Sequence, residues 1–296
     1  KSGQPLPKIS IEDSKAGWAD SVKTLMNSLY EGQNIYFNYD NIRPEGARLK
    51  TMGGRASGPA PLVKLHDFLR ETMHGAQGRQ LTPLEAHDIC NQIAEIVVVG
   101  GVRRSSQISL SDLNDDEMRH AKDWPYPIKR AMANNSAIYR EKPTAAEFLQ
   151  EWGSLAQSGT GERGIFNLEA AQSKAPSRRY APLIQGTNPC GEIMLRDMEF
   201  CNLSEVVVRP EDDLDSLLDK VETAAWLGVI QSSFTDFPYL RNQWKKNCDT
   251  EALLGVSLTG QMDNPSVLSS EALSALKSRV IRIARKASTV LGTKMP

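Results

Sequence analysis

Thr82-Pro83-Leu84-Glu85-Ala86-His87-Asp88-Ile89-Cys90-Asn91-Gln92-Ile93-Ala94-Glu95-Ile96-Val97-Val98-Val99-Gly100-Gly101 carries a helix, its breaker and the approach to a strand in one run. Thr82 stands three residues ahead of Glu85 with Pro83 in the first turn, which is a capping-box start. Helical spacing continues from Thr82 to Val99, although the last turn becomes β-branched at Ile96-Val97-Val98-Val99. Gly100-Gly101 should stop the helix, and Gln107 to Leu110 then alternates as a strand.

The same alternation extends in both directions. Upstream, Asp13 to Tyr30 places Trp18, Val22, Leu25, Met26 and Leu29 at helical spacing with Gly32 to end it; a strand through Ile35-Tyr36-Phe37 and a helix from Pro61 to Met73 follow. Downstream, Ala137-Ile138-Tyr139 and Gly164-Ile165-Phe166 read as short buried strands separated by a helix from Thr144 to Ala156. Glu192 to Leu195 and Phe200 to Val208 are expected to pair, bent through Arg196-Asp197-Met198-Glu199. A helix from Leu214 to Gln231, a strand from Leu253 to Leu258 and a helix from Ser269 to Leu291 complete the pattern. Pro176-Ser177-Arg178-Arg179 is the expected exposed loop. Strands and helices in alternation imply parallel sheet covered by helices, so the fold class is α/β.

Composition narrows the function without choosing it. The 296 residues allow one large α/β domain or two smaller ones. A net charge of −1 with 24% charged residues leaves no basic field for nucleic acid, so the expected ligand is small. The four cysteines, Cys90, Cys190, Cys201 and Cys248, are too sparse for a secreted disulfide framework and lack Cys-x-x-Cys zinc spacing. That favours the reducing cytoplasm. The histidines (His66, His74, His87 and His120) are scattered without metal spacing, so no protein-bound metal is expected. Apolar runs such as Ile96 to Val99 are too short to span a bilayer, and no membrane partner is expected. The sequence begins at Lys1 and stops at Pro296 straight after a helical pattern, and it reads as an excerpt.

The chemistry concentrates at Asn188-Pro189-Cys190-Gly191-Glu192. A thiol stands two residues after an amide and two before a carboxylate, and an extended stretch would turn all three to one face. Cys201 follows in Phe200-Cys201-Asn202-Leu203-Ser204-Glu205. Each residue also has a plainer reading. Cysteines are often small apolar core residues, Asn188 could be a turn former ahead of proline, and Glu192 could be a solvated strand residue. Cys90 lies on a helix face with Ile93 and Val97 and is expected in the core, as is Cys248. Arg103 and Arg104 could be solvated arginines after a helix stop, and the basic residues from Lys277 to Lys286 a solvated face.

These segments resemble the ribonucleotide reductases, and within them the adenosylcobalamin-dependent class, particularly the monomeric ribonucleoside-triphosphate reductases. The resemblance is carried in order by Gly46-Ala47-Arg48-Leu49-Lys50-Thr51 with Gly53-Gly54-Arg55-Ala56-Ser57-Gly58-Pro59, by Gly100-Gly101-Val102-Arg103-Arg104-Ser105, and by Gly161-Glu162-Arg163-Gly164-Ile165-Phe166-Asn167. The cysteine segment and Leu254-Gly255-Val256-Ser257-Leu258-Thr259-Gly260 complete it.

The resemblance implies a ten-stranded α/β barrel with the radical cysteine on a central finger loop, of which residues 1–296 would be a partial catalytic domain. Upstream and downstream parts, including the partner thiol of Cys201, would lie outside. It makes Cys190 the thiyl residue that removes the 3′-hydrogen of a ribonucleotide, which requires a neutral thiol in a dry pocket. Glu192 becomes the base at the 3′-hydroxyl, Asn188 a hydrogen-bonding group for the ribose hydroxyls, and Cys201 one of two reducing thiols reopened by a thioredoxin-like reductant. Gly101, Arg103 and Arg104 fall in the loop that joins a specificity nucleotide effector to the substrate base. Adenosylcobalamin is the implied cofactor, held mostly by surfaces beyond Pro296. Two rivals stand beside this reading: a reductase of another radical class, and an inactive piece that must associate with, or be spliced to, other chains.

Overall fold

The structure, a computed structural model, describes residues 8–49, 53–99, 102–103 and 105–296. Gly100, Gly101 and Arg104 therefore lie outside the described residues, as do Lys50 and Thr51, and Arg103 is described by its backbone alone. Two compact units divide the chain, one ending at Asn167 and the other beginning at Leu168.

In the first unit β1 (Lys8–Ser10) and β2 (Tyr36–Asn38) pair in parallel, joined by α1 (Lys15–Tyr30). Ser14 caps α1 by accepting the Gly17 N–H. The apolar stripe of α1 meets α2 (Ala60–Gly75) in a core of Leu25, Leu29, Phe37, Leu62, Leu65 and Leu69. Next comes α3 (Pro83–Glu95), opened by the expected reciprocal capping box between Thr82 and Glu85. It stops before the β-branched run. Val98–Val99 (β3) instead pairs antiparallel with Val102–Arg103 (β4), as expected of side chains that are stiff at χ1 and fit a pleated strand better than a helix.

α3 has the predicted period but not the predicted buried face. His87, Asp88, Asn91 and Gln92 are buried, whereas Cys90, Ile93 and Val97 are exposed, so Cys90 is not a core residue. Fixed polar partners hold that face inward. His87 Nε2 hydrogen-bonds Asn135 Oδ1 at 3.1 Å, and Arg130 donates to both oxygens of Asp88 at 2.8 and 2.9 Å. Burial opposes ionisation of Asp88, but His87 and Arg130 hold its carboxyl well below the usual range.

The first unit ends in a parallel sheet of β5 (Gln107–Ser111), β6 (Ala133–Tyr139) and β7 (Gly164–Asn167), with α4 (Asp116–Arg119) after β5 and α5 (Ala145–Gln157) between β6 and β7. A second capping box, Thr144 with Glu147, starts α5. Its buried residue is Glu151, which receives Arg119 at 2.6 Å and Arg163 at 2.9 Å.

His66 of α2 gives this unit an acid sensitivity. The ring is fully buried, hydrogen-bonded with Ser21 Oγ at 3.1 Å and Tyr39 Oη at 2.7 Å, and its centroid lies 4.7 Å from that of Phe37. Burial, helped by the Arg70 charge, lowers its pKa from 6.5 to about 4. A folded value below the unfolded one gives stabilisation that is present above pH 6.5 and lost as pH falls through about 4. Urea unfolding of the wild type across that window should lose up to about 3 kcal/mol more than that of His66→Asn. Parallel pH profiles for the two proteins would refute this.

The second unit opens with α6 (Leu168–Ser173) and a hairpin of β8 (Ile184–Thr187) and β9 (Met194–Arg196). β10 (Asn202–Val207) pairs in parallel with β11 (Leu254–Thr259) over six positions, Asn202 opposite Leu254 and Val207 opposite Thr259. α7 (Leu214–Ser232) and α8 (Asn242–Glu251) lie between these strands in sequence, and α9 (Ser270–Leu291) follows. Val206, Val208, Leu217, Val221 and Leu276 form the core of strand pair, α7 and α9. Gly228 of α7 lets helix and strand approach closely, since a Cβ there would lie 3.3 Å from that of Leu254.

The expected pairing of Glu192–Leu195 with Phe200–Val208 does not form, because those segments join different partners. Parallel strands joined through helices bear out the α/β class. The described residues make one three-stranded and four two-stranded sheets. Among them no helix is long and apolar enough to cross a membrane.

Candidate active site

Asn188 to Ile193 form the tip of the β8–β9 hairpin. Gly191 N–H donates to Asn188 C=O at 3.0 Å, closing a four-residue turn with Pro189 and Cys190 at its centre. Gly191 follows with φ +84, a left-handed conformation that glycine adopts without steric cost. The side chain of Asn188 completes the loop, as its Oδ1 accepts the Ile193 N–H at 3.0 Å and the Thr187 hydroxyl at 3.3 Å. Asn188 is thus a buried turn former, and the segment is a turn rather than the extended stretch that alternation required. Cys190 and Glu192 are both exposed. The dry surround expected for Cys190 is not supplied by the described residues of this chain, because the thiol stands at the tip of a hairpin.

Parity places the tip on a definite face of β10–β11. Ser204, Val206 and Val256 look toward α7, with Ser204 Oγ donating to Ala224 C=O at 3.1 Å. Leu203 and Gly255, paired across the strands, therefore belong to the opposite face, as does Cys201 by alternation. Ile193 lies there too. A Cβ added at Gly255 would sit 3.1 Å from Ile193 Cδ1 and 2.9 Å from Leu203 Cδ2, so glycine leaves the space that these side chains fill.

Cys201 is half-buried. Burial raises its pKa above the ordinary thiol value, and the negative charges of Glu192 and Glu199 raise it further. The Glu192 carboxylate is accordingly felt at the second thiol. One short region thus gathers Cys190, Glu192 and Cys201 with the Asn188 scaffold. Arg103 belongs to the first unit and has no described side chain.

Beneath the site lies a polar cluster absent from the sequence reading. The predicted exposed loop ends at Arg179, whose side chain is in fact 7% exposed. Arg179 donates to Met194 C=O at 2.8 Å, to Glu251 at 2.6 and 2.9 Å, and to Glu199 at 3.3 Å. Asn247 Nδ2 donates to the carbonyls of Asp197 and Met198 at 2.7 and 3.2 Å, holding the bend in which Met198 has φ +53. Phe200 packs on Phe237 and Trp244 at 5.1 and 4.6 Å between centroids. Cys248 is buried, as expected, and burial pushes its thiol up. Asn247, Cys248 and Glu251 stand three, four and seven residues after Trp244 on α8, a helical signal that sequence reading passes over because two of the four are polar.

The described residues identify no site for a corrinoid such as adenosylcobalamin. The clefts lined by residues between Pro83 and Arg140 and between Pro59 and Gln92, about 480 and 660 Å³, belong to the first unit, whereas the Cys190 hairpin belongs to the second. No residue here is assigned to that cofactor.

Comparison with known proteins agrees with the motifs. The chain is 31% identical over 278 residues to the adenosylcobalamin-dependent ribonucleoside-triphosphate reductase of Lacticaseibacillus paracasei, covering 88% of this chain and 36% of that protein. The enzyme of the same name from Levilactobacillus brevis is 31% identical over 281 residues, 86% of this chain and 35% of the other. That of Euglena gracilis is 29% identical over 218 residues, 72% and 30% respectively. No protein-family model matches the chain. Over most of its length the chain is therefore similar to adenosylcobalamin-dependent ribonucleoside-triphosphate reductases, and it spans about a third of the length of the curated relatives it matches.

Proposed function

We propose that this chain is the part of an adenosylcobalamin-dependent ribonucleoside-triphosphate reductase that carries the radical cysteine, and that residues 1–296 form a partial catalytic barrel. The observation that carries the reading is the Asn188–Ile193 hairpin tip on the same sheet face as Cys201, with the Glu192 charge reaching that thiol. In the proposed reaction the Cys190 thiyl takes the 3′-hydrogen of the ribonucleotide. Glu192 accepts the 3′-hydroxyl proton while the 2′-hydroxyl leaves as water. Cys201 and a second thiol outside the described residues then supply two electrons and two protons. One proton leaves in the water, the other stays at the 2′-carbon, and a disulfide remains for a thioredoxin-like dithiol to reopen. Cys190 finally returns its hydrogen to the 3′-carbon, and Glu192 returns its proton to the 3′-oxygen.

Other elements of the reading concern partners. Gly101, Arg103 and Arg104 would contact a specificity nucleotide, and adenosylcobalamin would be held outside this chain. The face of β10–β11 opposite α7 leaves Leu203 and Val207 exposed, whereas parallel sheets are ordinarily covered on both faces. The remaining barrel would supply that cover. Residues 1–296 alone, given adenosylcobalamin, ribonucleoside triphosphates and dithiothreitol, should form no deoxynucleotide, and activity should appear when the flanking protein is restored in cis or in trans. Turnover by the isolated chain would overturn the partial-barrel assignment, and its absence in the restored protein would overturn the reductase assignment.

A further inference from the structure

The strongest feature left unused lies two residues ahead of Cys201. Glu199 is a carboxylic acid whose side chain is fully buried, and it closes the bend leading into Cys201 by accepting the Arg196 N–H at 3.1 Å. Two guanidinium groups approach it, but at long range: Arg196 Nε at 3.2 Å and Arg179 Nη2 at 3.3 Å. Charge-assisted bonds of this type run at about 2.7–2.9 Å. The shorter contacts go elsewhere, because Arg179 reaches Glu251 at 2.6 and 2.9 Å and Arg196 Nη2 donates to Asn247 C=O at 2.7 Å. A single nitrogen, Arg179 Nη2, therefore touches both carboxyl groups, and the more deeply buried one receives the weaker compensation.

Electrostatics follows that geometry. Burial first, and then the neighbouring Glu251, raise the Glu199 pKa to about 7, although the Arg196 N–H and charge act the other way. Glu251 lies below its usual value because Arg179 and Glu199 outweigh its own burial. The charged groups facing Glu199 are Arg196 from its own bend, Arg179 from the preceding loop and Glu251 from the end of α8. Those facing Cys201 are Glu199 and, from the hairpin, Glu192.

We propose that Glu199 is a proton-holding positioning residue for Cys201, its carboxyl sharing a proton with Glu251 across Arg179 and placing negative charge beside the thiol when that proton leaves. The inference rests on the reading of Cys201 as a reducing thiol. In that reaction a thiol brings the proton that departs with the 2′-hydroxyl, which a thiolate cannot. A nearby carboxylate that discourages thiol ionisation keeps Cys201 in the competent form.

The test uses the full chain and needs neither nucleotide nor cofactor, so it is independent of whether the protein is a reductase. Iodoacetamide alkylation, resolved by peptide mass spectrometry, reports Cys201 separately from Cys90, Cys190 and Cys248 across pH 6–10. Glu199→Gln keeps an acceptor for the Arg196 N–H but carries no charge. Its Cys201 should alkylate about threefold or more faster than wild type near pH 8, with Cys190 unchanged. Coincident Cys201 profiles in two equally folded proteins would remove Glu199 from this role. If Glu199→Gln does not fold, carbon-13 NMR of the glutamate carboxyls decides. Glu199 should titrate near neutrality in the wild type and at lower pH in Glu251→Gln, and an ordinary carboxyl titration in the wild type overturns the shared proton. Failure of Cys201 to support turnover would count against the reductase reading alone.

Discussion

Cys190→Ser will stop deoxynucleotide formation in the flank-restored protein, lowering turnover by at least about a thousandfold, the scale on which loss of a reacting group acts. The argument is chemical before it is structural. An S–H and a ribose C–H bond are close enough in strength for reversible hydrogen transfer, whereas a serine O–H bond is too strong to be exchanged in that way. Structurally the change is mild, because Cys190 is exposed at the hairpin tip, where the turn is closed by the Gly191 and Ile193 backbone and the Asn188 side chain. Stability should stay within about 0.5 kcal/mol and nucleotide binding should persist. A folded, binding-competent Cys190→Ser protein that still makes product at an appreciable rate is incompatible with the radical assignment.

Cys201→Ser should separate the first hydrogen transfer from the reduction that follows. Cys201 is half-buried just before β10, and burial with the charges of Glu192 and Glu199 raises its pKa, favouring the thiol form. Without its sulfur, Cys190 can still take the 3′-hydrogen, but no disulfide can form with the second thiol. Multiple turnover with a thioredoxin-like reductant should fall by at least about a hundredfold, while cleavage of the 3′-carbon–hydrogen bond remains measurable. Undiminished multiple turnover removes Cys201 from the reducing pair.

What was legible in the sequence followed from local rules. The Thr82–Glu85 capping box is contained within a single turn and its helix begins where those residues place it, and the helices expected from Asp13, Thr144 and Ser269 begin at Lys15, Ala145 and Ser270. Strand partners were not legible, since Met194–Arg196 pairs backward with β8 and Asn202–Val207 forward with a strand some fifty residues on. Periodicity found α3 but could not tell which stripe faces inward, because His87, Asp88 and Asn91 are held inside by Asn135, Arg130 and Gln107 on other segments. Arg179 looked like loop surface for a similar reason: its carboxylate partners, Glu199 and Glu251, come from later in the chain. The Asn-Pro-Cys-Gly-Glu motif marks the candidate site, yet its geometry is a turn in which Asn188 serves the backbone.

The most direct test of the central claim is release of tritium from 3′-tritiated ribonucleoside triphosphate by the flank-restored protein with adenosylcobalamin. Because the abstracted hydrogen rests on the Cys190 thiol, where it can exchange with water before it returns, the account predicts partial release by the wild type and by Cys201→Ser, and none above background by Cys190→Ser. Release from Cys190→Ser equal to that of the wild type would contradict it.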